Sequence, residues 1–224
     1  MNLKYLALPI AMLFVGNAVA ADASLDTPKK KMSYAIGVQI GNDFKRSGMD
    51  IDVSAMSSAI SDMVSGKAPA LDQTEMQEAL NMLREQQMKK QVGVAEENKK
   101  KGEAFLAQNK NKKGVITLES GVQYKVMEKG AGKTPTPANS VVAHYEGRLI
   151  DGTVFDSSIQ RGKPATFPVT GVIKGWQEIL QKMKVGSKWQ VYIPSELAYG
   201  QRGTGPQIGP NSALVFDIEL IEIK

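Results

Sequence analysis

Residues 141–158 read VVAHYEGRLIDGTVFDSS and contain the strongest single indication of the fold. Apolar and polar side chains alternate along much of the first half, which predicts a strand over residues 141–150. This strand leads into Asp151-Gly152, a dipeptide typical of tight hairpin turns because both residues tolerate positive φ angles. The stretch therefore predicts a β-hairpin.

Further strands and one helix are predicted around this hairpin, between residue 114 and the end of the sequence. Apolar residues alternate at 122–126, 189–193 and 216–220, a pattern typical of half-buried strands. Residues 173–184 have the composition of a helix. We therefore predict an α+β fold for residues 114–224, in which a curved antiparallel sheet wraps one short helix.

The part of the chain before residue 114 predicts helices instead, because it is rich in Lys, Glu, Gln and Met and has few aromatic residues. Apolar side chains recur at every fourth position from Met32 to Phe44, which predicts a helix that ends at Gly48. A second short helix is predicted between Asp52 and Gly66. Neither helix is large enough to enclose much core alone.

A third and much longer helix is predicted to begin at Asp72 and to continue to about residue 110. Asp72 and Glu75 have the spacing of a capping box, in which each side chain binds a backbone N–H of the other. Apolar residues form a stripe over residues 76–88, whereas Glu96–Lys101 is almost wholly charged. We expect the first half of this helix to be packed and the second half to be solvated.

Seven of the eleven methionines lie between Met32 and Met88, in helices whose apolar faces cannot all be buried by so short a segment. Flexible thioether side chains suit adaptable interfaces. We therefore expect a homodimer formed through the N-terminal helices. The alternative is that the same side chains form an ordinary intramolecular core.

The first twenty residues have the features of a secretory signal peptide: a positive Lys4, an apolar stretch from Leu6 to Val15, and the small-residue pattern Ala18-Val19-Ala20. The apolar stretch is too short to span a bilayer, so no integral membrane segment is expected after cleavage. Cysteine is absent, so disulfides and thiol chemistry are excluded. We expect the periplasm, outer membrane or cell surface of a Gram-negative bacterium.

The net charge of +5 is modest, and the lysine runs at 29–31 and 99–101 are interpreted as solvated helix faces. No nucleic acid is expected as a partner.

The patterns described so far divide the chain into four segments, which are expected to differ in role. The segments are a signal peptide at 1–20, a helical dimerisation domain at 21–72, a connecting helix at 73–113 and a catalytic domain at 114–224.

Most common catalytic arrangements are excluded by composition. His144 is the only histidine and alternates with apolar neighbours in a predicted strand, so we interpret it as a surface or packing residue. No phosphate-binding loop occurs, and the glycines at 200–209 are interleaved with proline and are interpreted as a flap. We expect no metal and no cofactor.

A set of aromatic and aliphatic residues with few polar members remains as the candidate site. Apolar walls with a few hydrogen-bonding groups are typical of a pocket for an apolar ligand, but they are equally typical of a core, and spacing alone leaves both open. The set comprises Tyr145, Phe155, Asp156, Phe167, Val172, Ile173, Trp176, Tyr199 and Phe216.

Five sequence blocks resemble, in the same order, the motifs of FKBP-type peptidyl-prolyl cis/trans isomerases, and they cover residues 115–224. The segments SYAIG at 33–37 and KGEAFL at 101–106 are similar to the macrophage infectivity potentiator (Mip) branch of that family. Members of that branch are V-shaped homodimers. The five blocks are AHYEG at 143–147, DGTVFDSS at 151–158, VIKGW at 172–176, YG at 199–200 and LVFD at 214–217.

The resemblance implies a role for each matching residue. Tyr199 would donate its hydroxyl to a substrate carbonyl, and the backbone N–H of Ile173 would bind the carbonyl beyond the proline. Asp156 would lie near the imide carbonyl, with Arg161 and Tyr145 holding its carboxylate. Trp176 would form the floor under the proline ring, Ile208 would cap the site, and the walls would be Tyr145, Phe155, Phe167, Val172, Ile173 and Phe216.

The resemblance also implies partners and activity. Proline-containing polypeptides would be the substrates, and macrolides such as rapamycin or tacrolimus would be inhibitors. Ala165 departs from the family pattern, because many members have an aromatic residue after the Lys-Pro pair that here is Lys163-Pro164. The alternative function is a dimeric periplasmic chaperone or surface adhesion factor with incidental isomerase activity.

Overall fold

The computed structural model describes residues 24–224, so the signal peptide predicted over residues 1–20 lies outside it. The chain forms two units that divide between Ala68 and Pro69. Within the described residues, no helix is long and apolar enough to cross a bilayer. The helices are α1 Pro28–Ser47, α2 Val53–Val64, α3 Gln73–Asn109 and α4 Lys174–Leu180; the strands are β1 Val115–Thr117, β2 Gln123–Glu128, β3 Ser140–Leu149, β4 Val154–Ser157, β5 Ala165–Pro168, β6 Lys188–Ile193 and β7 Leu214–Ile223.

The first unit consists of α1 and α2, and local capping sets their limits. Thr27 caps α1, which ends at Gly48 in the left-handed conformation with φ 59°, as its sequence predicts. The Asp52 side chain accepts hydrogen bonds from the first backbone N–H groups of α2, and Gly66 follows the helix with φ 75°. No residue of α1 or α2 is buried in the single chain.

Helix α3 has the predicted start but not the predicted packing. The capping box of Asp72 and Glu75 is present in both directions. The buried residues of α3 are Gly102 and Asn109, both in the half that was expected to be solvated. Leu80 and Met88 in the other half are 50% and 66% exposed. The expectation was wrong because the charged residues of the second half point to water while its small and amide residues contact the sheet unit.

All seven strands belong to one antiparallel sheet with the order β1-β2-β6-β7-β3-β4, and β5 pairs with β3. The predicted hairpin is confirmed: β3 and β4 pair across Asp151-Gly152, where Gly152 has φ 92°. The Asp151 side chain stabilises the turn by accepting the Thr153 N–H at 2.9 Å. Residues 140–143 of β3 pair with β5 instead, so one long strand carries both neighbours.

Helix α4 packs on the sheet and completes the core of the second unit. Its residues Trp176, Ile179 and Leu180 are buried in one cluster with Val191 and Leu220 of the sheet. Gly175 lets the helix approach closely, since a Cβ there would lie 2.5 Å from Ile193. The helix is shorter than the predicted residues 173–184, but the α+β fold with a sheet around one helix is confirmed.

Candidate active site

An open cavity of about 290 Å³ lies between α4, the sheet and the β6–β7 loop, which we define as residues 194–213. Aromatic side chains dominate its lining. The structure thus brings together nine residues that the sequence singled out and adds Gly171, which the sequence did not indicate. The lining is Tyr145, Phe155, Asp156, Phe167, Gly171, Val172, Ile173, Trp176, Tyr199 and Phe216.

Trp176 is the most enclosed aromatic residue of the cavity, with 3% of its surface exposed. The rings of Tyr145, Phe167 and Phe216 meet the indole edge to face, with centroids 5.4, 5.7 and 5.3 Å away. Such contacts are favourable and fix ring orientations, so they hold the cavity open in one shape. The indole N–H is buried and has no hydrogen-bond partner within residues 24–224.

Asp156, Tyr145 and Arg161 form a polar cluster at one side of the cavity. The Tyr145 hydroxyl and the Arg161 guanidinium both donate to the Asp156 carboxylate. Arg161 also donates to the Tyr145 hydroxyl oxygen at 2.7 Å and lies over the Tyr145 ring. The family resemblance implied that Arg161 holds the Asp156 carboxylate, and in the structure Arg161 lies against Asp156 and does not line the cavity.

The cluster also sets the protonation states of its members. Partial burial would raise the pKa of Asp156, but the hydrogen bonds from Tyr145 and Arg161 outweigh it and hold that pKa below its usual value. Burial, together with the hydrogen bond to Asp156, raises the pKa of Tyr145. Near neutral pH the cluster therefore presents a carboxylate that is held by a phenol and a guanidinium.

Besides the buried indole N–H of Trp176, two donors around the cavity have no partner within residues 24–224. The Tyr199 hydroxyl makes no hydrogen bond within residues 24–224, and burial with the nearby Asp156 charge raises its pKa. Ile173 is the N-cap residue of α4, and its backbone N–H is likewise unpaired among the described residues. Gln177 holds the preceding segment by donating to the Val172 carbonyl at 2.7 Å. These two donors are available to a ligand.

Ile208, which the resemblance implies caps the site, is not among the residues that line the cavity. Its side chain is 6% exposed and belongs to the hydrophobic core. Ala165 pairs with Ala143 between β5 and β3, and Phe167 two residues later supplies the aromatic wall. His144 contacts the Ser158 hydroxyl at 3.0 Å, in keeping with a packing role.

Two protein-family models together match most of the chain. The model described as "FKBP-type peptidyl-prolyl cis-trans isomerase" matches residues 131–221. The model described as "Domain amino terminal to FKBP-type peptidyl-prolyl isomerase" matches residues 29–126. The chain belongs to the FKBP-type peptidyl-prolyl cis-trans isomerase family. Its activity is therefore the cis/trans isomerisation of peptide bonds before proline, and its substrates are proline-containing peptides.

Individual relatives place the chain more closely within this family. It is 44% identical to the peptidyl-prolyl cis-trans isomerase Mip of Coxiella burnetii, with 99% of each chain covered. It is 45% identical to an outer membrane protein MIP of Legionella longbeachae, covering 100% of this chain and 99% of that one. The crystal structure of FkpA from Escherichia coli superimposes with a TM-score of 0.67 at 34% identity, covering 89% of this chain and 98% of that one.

Two contributors to the FKBP-type site carried no sequence signal that periodicity could detect. Gly171 lines the cavity in a short helical turn at Val169–Gly171, where an added Cβ would lie 2.8 Å from Pro168. Gln177 acts through backbone carbonyls five and seven residues earlier in the chain. Both depend on the path of the backbone just before α4, which periodicity does not report, although an alignment of relatives could have indicated them.

Proposed function

We propose that the cavity over Trp176 binds the proline ring of an X-Pro segment and lowers the barrier to rotation without covalent chemistry. The observation that carries this proposal is the convergence of an aromatic cup with two unpaired donors, Tyr199 and the N–H of Ile173. Tyr145, Phe155, Phe167, Val172, Ile173 and Phe216 would form the walls. The two donors would hold the chain that flanks the proline.

The size of the barrier makes this chemistry sufficient. Rotation about an X-Pro bond faces about 18–20 kcal/mol, and uncatalysed exchange takes tens to hundreds of seconds. A thousandfold acceleration needs only about 4 kcal/mol. Fixed hydrogen bonds and an apolar environment can supply this amount, so no nucleophile is required.

The apolar cup and the Asp156 carboxylate would both favour the twisted state over the planar one. The planar imide is stabilised by charge separation, with negative charge on the oxygen, and twisting removes this polarity. An apolar wall solvates the polar ground state poorly. A carboxylate near the imide oxygen disfavours the same negative charge, and Tyr145 and Arg161 keep the carboxylate in place. Interactions that distinguish the two states in this way raise turnover.

To test these roles, the rate at which the Tyr199→Phe and Asp156→Ala variants isomerise an X-Pro peptide is measured by NMR exchange spectroscopy. Loss of the oriented Tyr199 donor is expected to slow turnover by about tenfold or more, since such donors contribute on the order of 10²–10³ in well-formed sites. Loss of the Asp156 carboxylate should also slow turnover. Circular dichroism should show an unchanged fold. Full activity in both variants would contradict the proposed site. Trp176→Ala is a weaker probe, because removal of a large buried ring destabilises a domain by about 3–5 kcal/mol.

Macrolides such as rapamycin or tacrolimus are proposed ligands of the same cavity, because its aromatic lining suits a large apolar molecule. Binding should displace the peptide and quench the fluorescence of Trp176. Unchanged turnover at saturating macrolide would contradict this. Ile208, in the β6–β7 loop, is proposed to cap the site when a ligand is bound.

We also propose a homodimer formed through the N-terminal helices, and the exposure of apolar side chains supports it. Ile36 on α1 is 58% exposed and Val64 on α2 is 84% exposed, although neither helix has a buried face in the single chain. A helix without a buried apolar face gains little tertiary stability. A second copy would cover both. A clean monomer in sedimentation of residues 21–113 would contradict the dimer.

Export to the periplasm or outer membrane is proposed from the sequence of residues 1–20 and from the relative named as an outer membrane protein. Detection of the uncleaved chain in the cytosol would contradict it. The proposed division of labour keeps residues 21–72 for dimerisation, 73–113 as the connecting helix and 114–224 for catalysis.

A chaperone or adhesion role remains the second candidate, favoured by the exposed apolar residues of the N-terminal helices. Removal of residues 21–68 would distinguish the two, because every residue that lines the cavity belongs to the other unit. Peptide isomerisation should persist, whereas suppression of aggregation should be lost if the N-terminal unit holds unfolded chains.

A further inference from the structure

The β6–β7 loop carries Tyr199 at its start and returns to the sheet at Leu214. The Tyr199 hydroxyl has no partner within residues 24–224, so no hydrogen bond at the hydroxyl holds the ring, and the backbone of the loop contributes to its position. The carbonyl of the next residue, Gly200, accepts the Asn211 N–H at 2.8 Å. This bond joins the two ends of the loop, so the position of Asn211 determines that of the residue following Tyr199.

Asn211, which makes this hydrogen bond, has an unusual backbone conformation. It has φ 55° and is the one non-glycine residue with a positive φ within residues 24–224. Its side chain donates to the carbonyl of Ala95 in α3 at 3.2 Å. Asparagine tolerates the left-handed region better than most residues, but the conformation still needs support from its surroundings. Here the support comes from α3.

Two further contacts join the same face of α3 to this part of the loop. Asn98 donates to the Pro210 carbonyl at 2.9 Å and lies 3.5 Å from the Ser212 hydroxyl. Gly102 lies against Ala213, because a Cβ on Gly102 would be only 3.0 Å from the Ala213 Cβ. Residues three and seven positions after Ala95 share its helix face. We name this set the α3 anchor: Ala95, Asn98 and Gly102 against Pro210, Asn211 and Ala213.

We propose that Asn98 and Asn211 are positioning residues of the isomerase, which fix Tyr199 through the Asn211–Gly200 hydrogen bond. This inference rests on the proposed role of Tyr199 as a donor to substrate. Neither asparagine touches the cavity, so neither acts on substrate directly. The long helix α3 thereby takes part in catalysis.

Two single variants of the full chain test the anchor from its two sides. Asn211→Gly removes the hydrogen bond from the Asn211 side chain to the Ala95 carbonyl, and glycine adopts the left-handed backbone conformation at no steric cost. Asn98→Ala removes the bond to Pro210 while raising the helix propensity of α3, so lost activity cannot come from a weakened helix. Asn81→Ala is the matched control, because it makes the same change on the same helix at an exposed position whose bonds stay within α3.

Both anchor variants are expected to lower kcat/KM on an X-Pro peptide by about three- to tenfold, a smaller loss than the ~100-fold that a misplacement of 1 Å can cause. Asn81→Ala should match the unmodified chain. The decisive comparison repeats Asn211→Gly and Asn98→Ala in the Tyr199→Phe background. If the anchor acts through the Tyr199 hydroxyl, each anchor variant should change kcat/KM by less than about twofold in the Tyr199→Phe background, since the effects of coupled residues are not additive.

Three results would overturn the proposal. Equal losses in the native and Tyr199→Phe backgrounds would show a general structural effect instead. Normal kcat/KM in both anchor variants, with slow turnover in Tyr199→Phe, would overturn the anchor alone. Full activity in Tyr199→Phe would overturn the proposed role of Tyr199 and the anchor with it.

Discussion

At the residue scale, the polar side of the cavity depends on a balance at Asp156. Its side chain is 43% exposed, enough for water to screen its charge, yet a phenol and a guanidinium still hold it ionised. Burial raises the pKa of Tyr145, and the hydrogen bond that it donates to Asp156 adds to this rise while it helps to lower the pKa of Asp156. The pair therefore keeps one charge state over a wide pH range.

This pair predicts a flat pH profile with loss on the acid side. The pKa of Asp156 lies below its usual value, whereas those of Tyr145 and Tyr199 lie above theirs, so kcat/KM should be constant from about pH 5 to 9. The stabilisation by the carboxylate is present above the unfolded pKa of about 3.9 and is lost as the pH falls through the lower folded value. NMR exchange measurements, with circular dichroism at each pH, check this.

Asp156→Asn is the control for that profile. The variant should be slow at neutral pH and should show no acid-side decrease in the range where its fold persists. An unmodified chain whose kcat/KM falls between pH 7 and 5 would contradict the lowered pKa of Asp156. Any effect on the free energy of unfolding should be small, because the ion pair with Arg161 is substantially exposed on both sides.

At the scale of elements, sequence predicts what local chemistry determines. The turn at Asp151-Gly152 and the cap at Asp72 need only neighbouring residues, and both were predicted. The packing of α3 could not be predicted, because periodicity reports only apolar stripes. The second half of α3 instead contacts the rest of its unit through Asn98, Gly102 and Asn109. Likewise, the aromatic cup could be identified from motifs, but whether Ile208 faces the cavity or the core depends on the path of a 20-residue loop.

The close packing of α3 at Gly102 can be measured through its effect on the free energy of unfolding. Gly102→Val should lower the free energy of unfolding by about 1–3 kcal/mol, because the new side chain must displace Ala213 in a packed contact. Gly93→Val is the matched control: a Cβ at that position meets nothing within 4 Å. There valine should be neutral or slightly stabilising, by roughly a few tenths of a kcal/mol, since glycine disfavours helix interiors. Equal destabilisation in thermal unfolding of the two variants would contradict close docking of α3 at Gly102.

At the scale of the whole molecule, the change of composition near residue 114 does not mark an interruption of contacts. Asn109 is fully buried and donates to Gln123 of β2 at 2.9 Å, and Gln123 donates to the Leu106 carbonyl at 2.9 Å. Phe105 packs against Tyr192 with ring centroids 5.9 Å apart. The structural unit that contains the sheet accordingly extends back to Pro69. The end of α3 therefore packs directly against β2 and β6, although its sequence is that of a solvated connecting helix.

These contacts predict how the thermal unfolding midpoints of three shortened chains compare. Residues 114–224 lack the Asn109–Gln123 pair and the Phe105–Tyr192 contact, so they should unfold roughly 4–12 °C below residues 90–224, as a loss of about 1–3 kcal/mol implies for a domain of this size. Residues 69–224 should match residues 90–224, because the added part of α3 has no buried residue. Calorimetry measures the midpoints, and peptide isomerisation should fall in the same order, since only the shortest chain lacks the α3 face that contacts the β6–β7 loop. Identical midpoints for all three would show that the contacts of α3 with the sheet do not stabilise the domain.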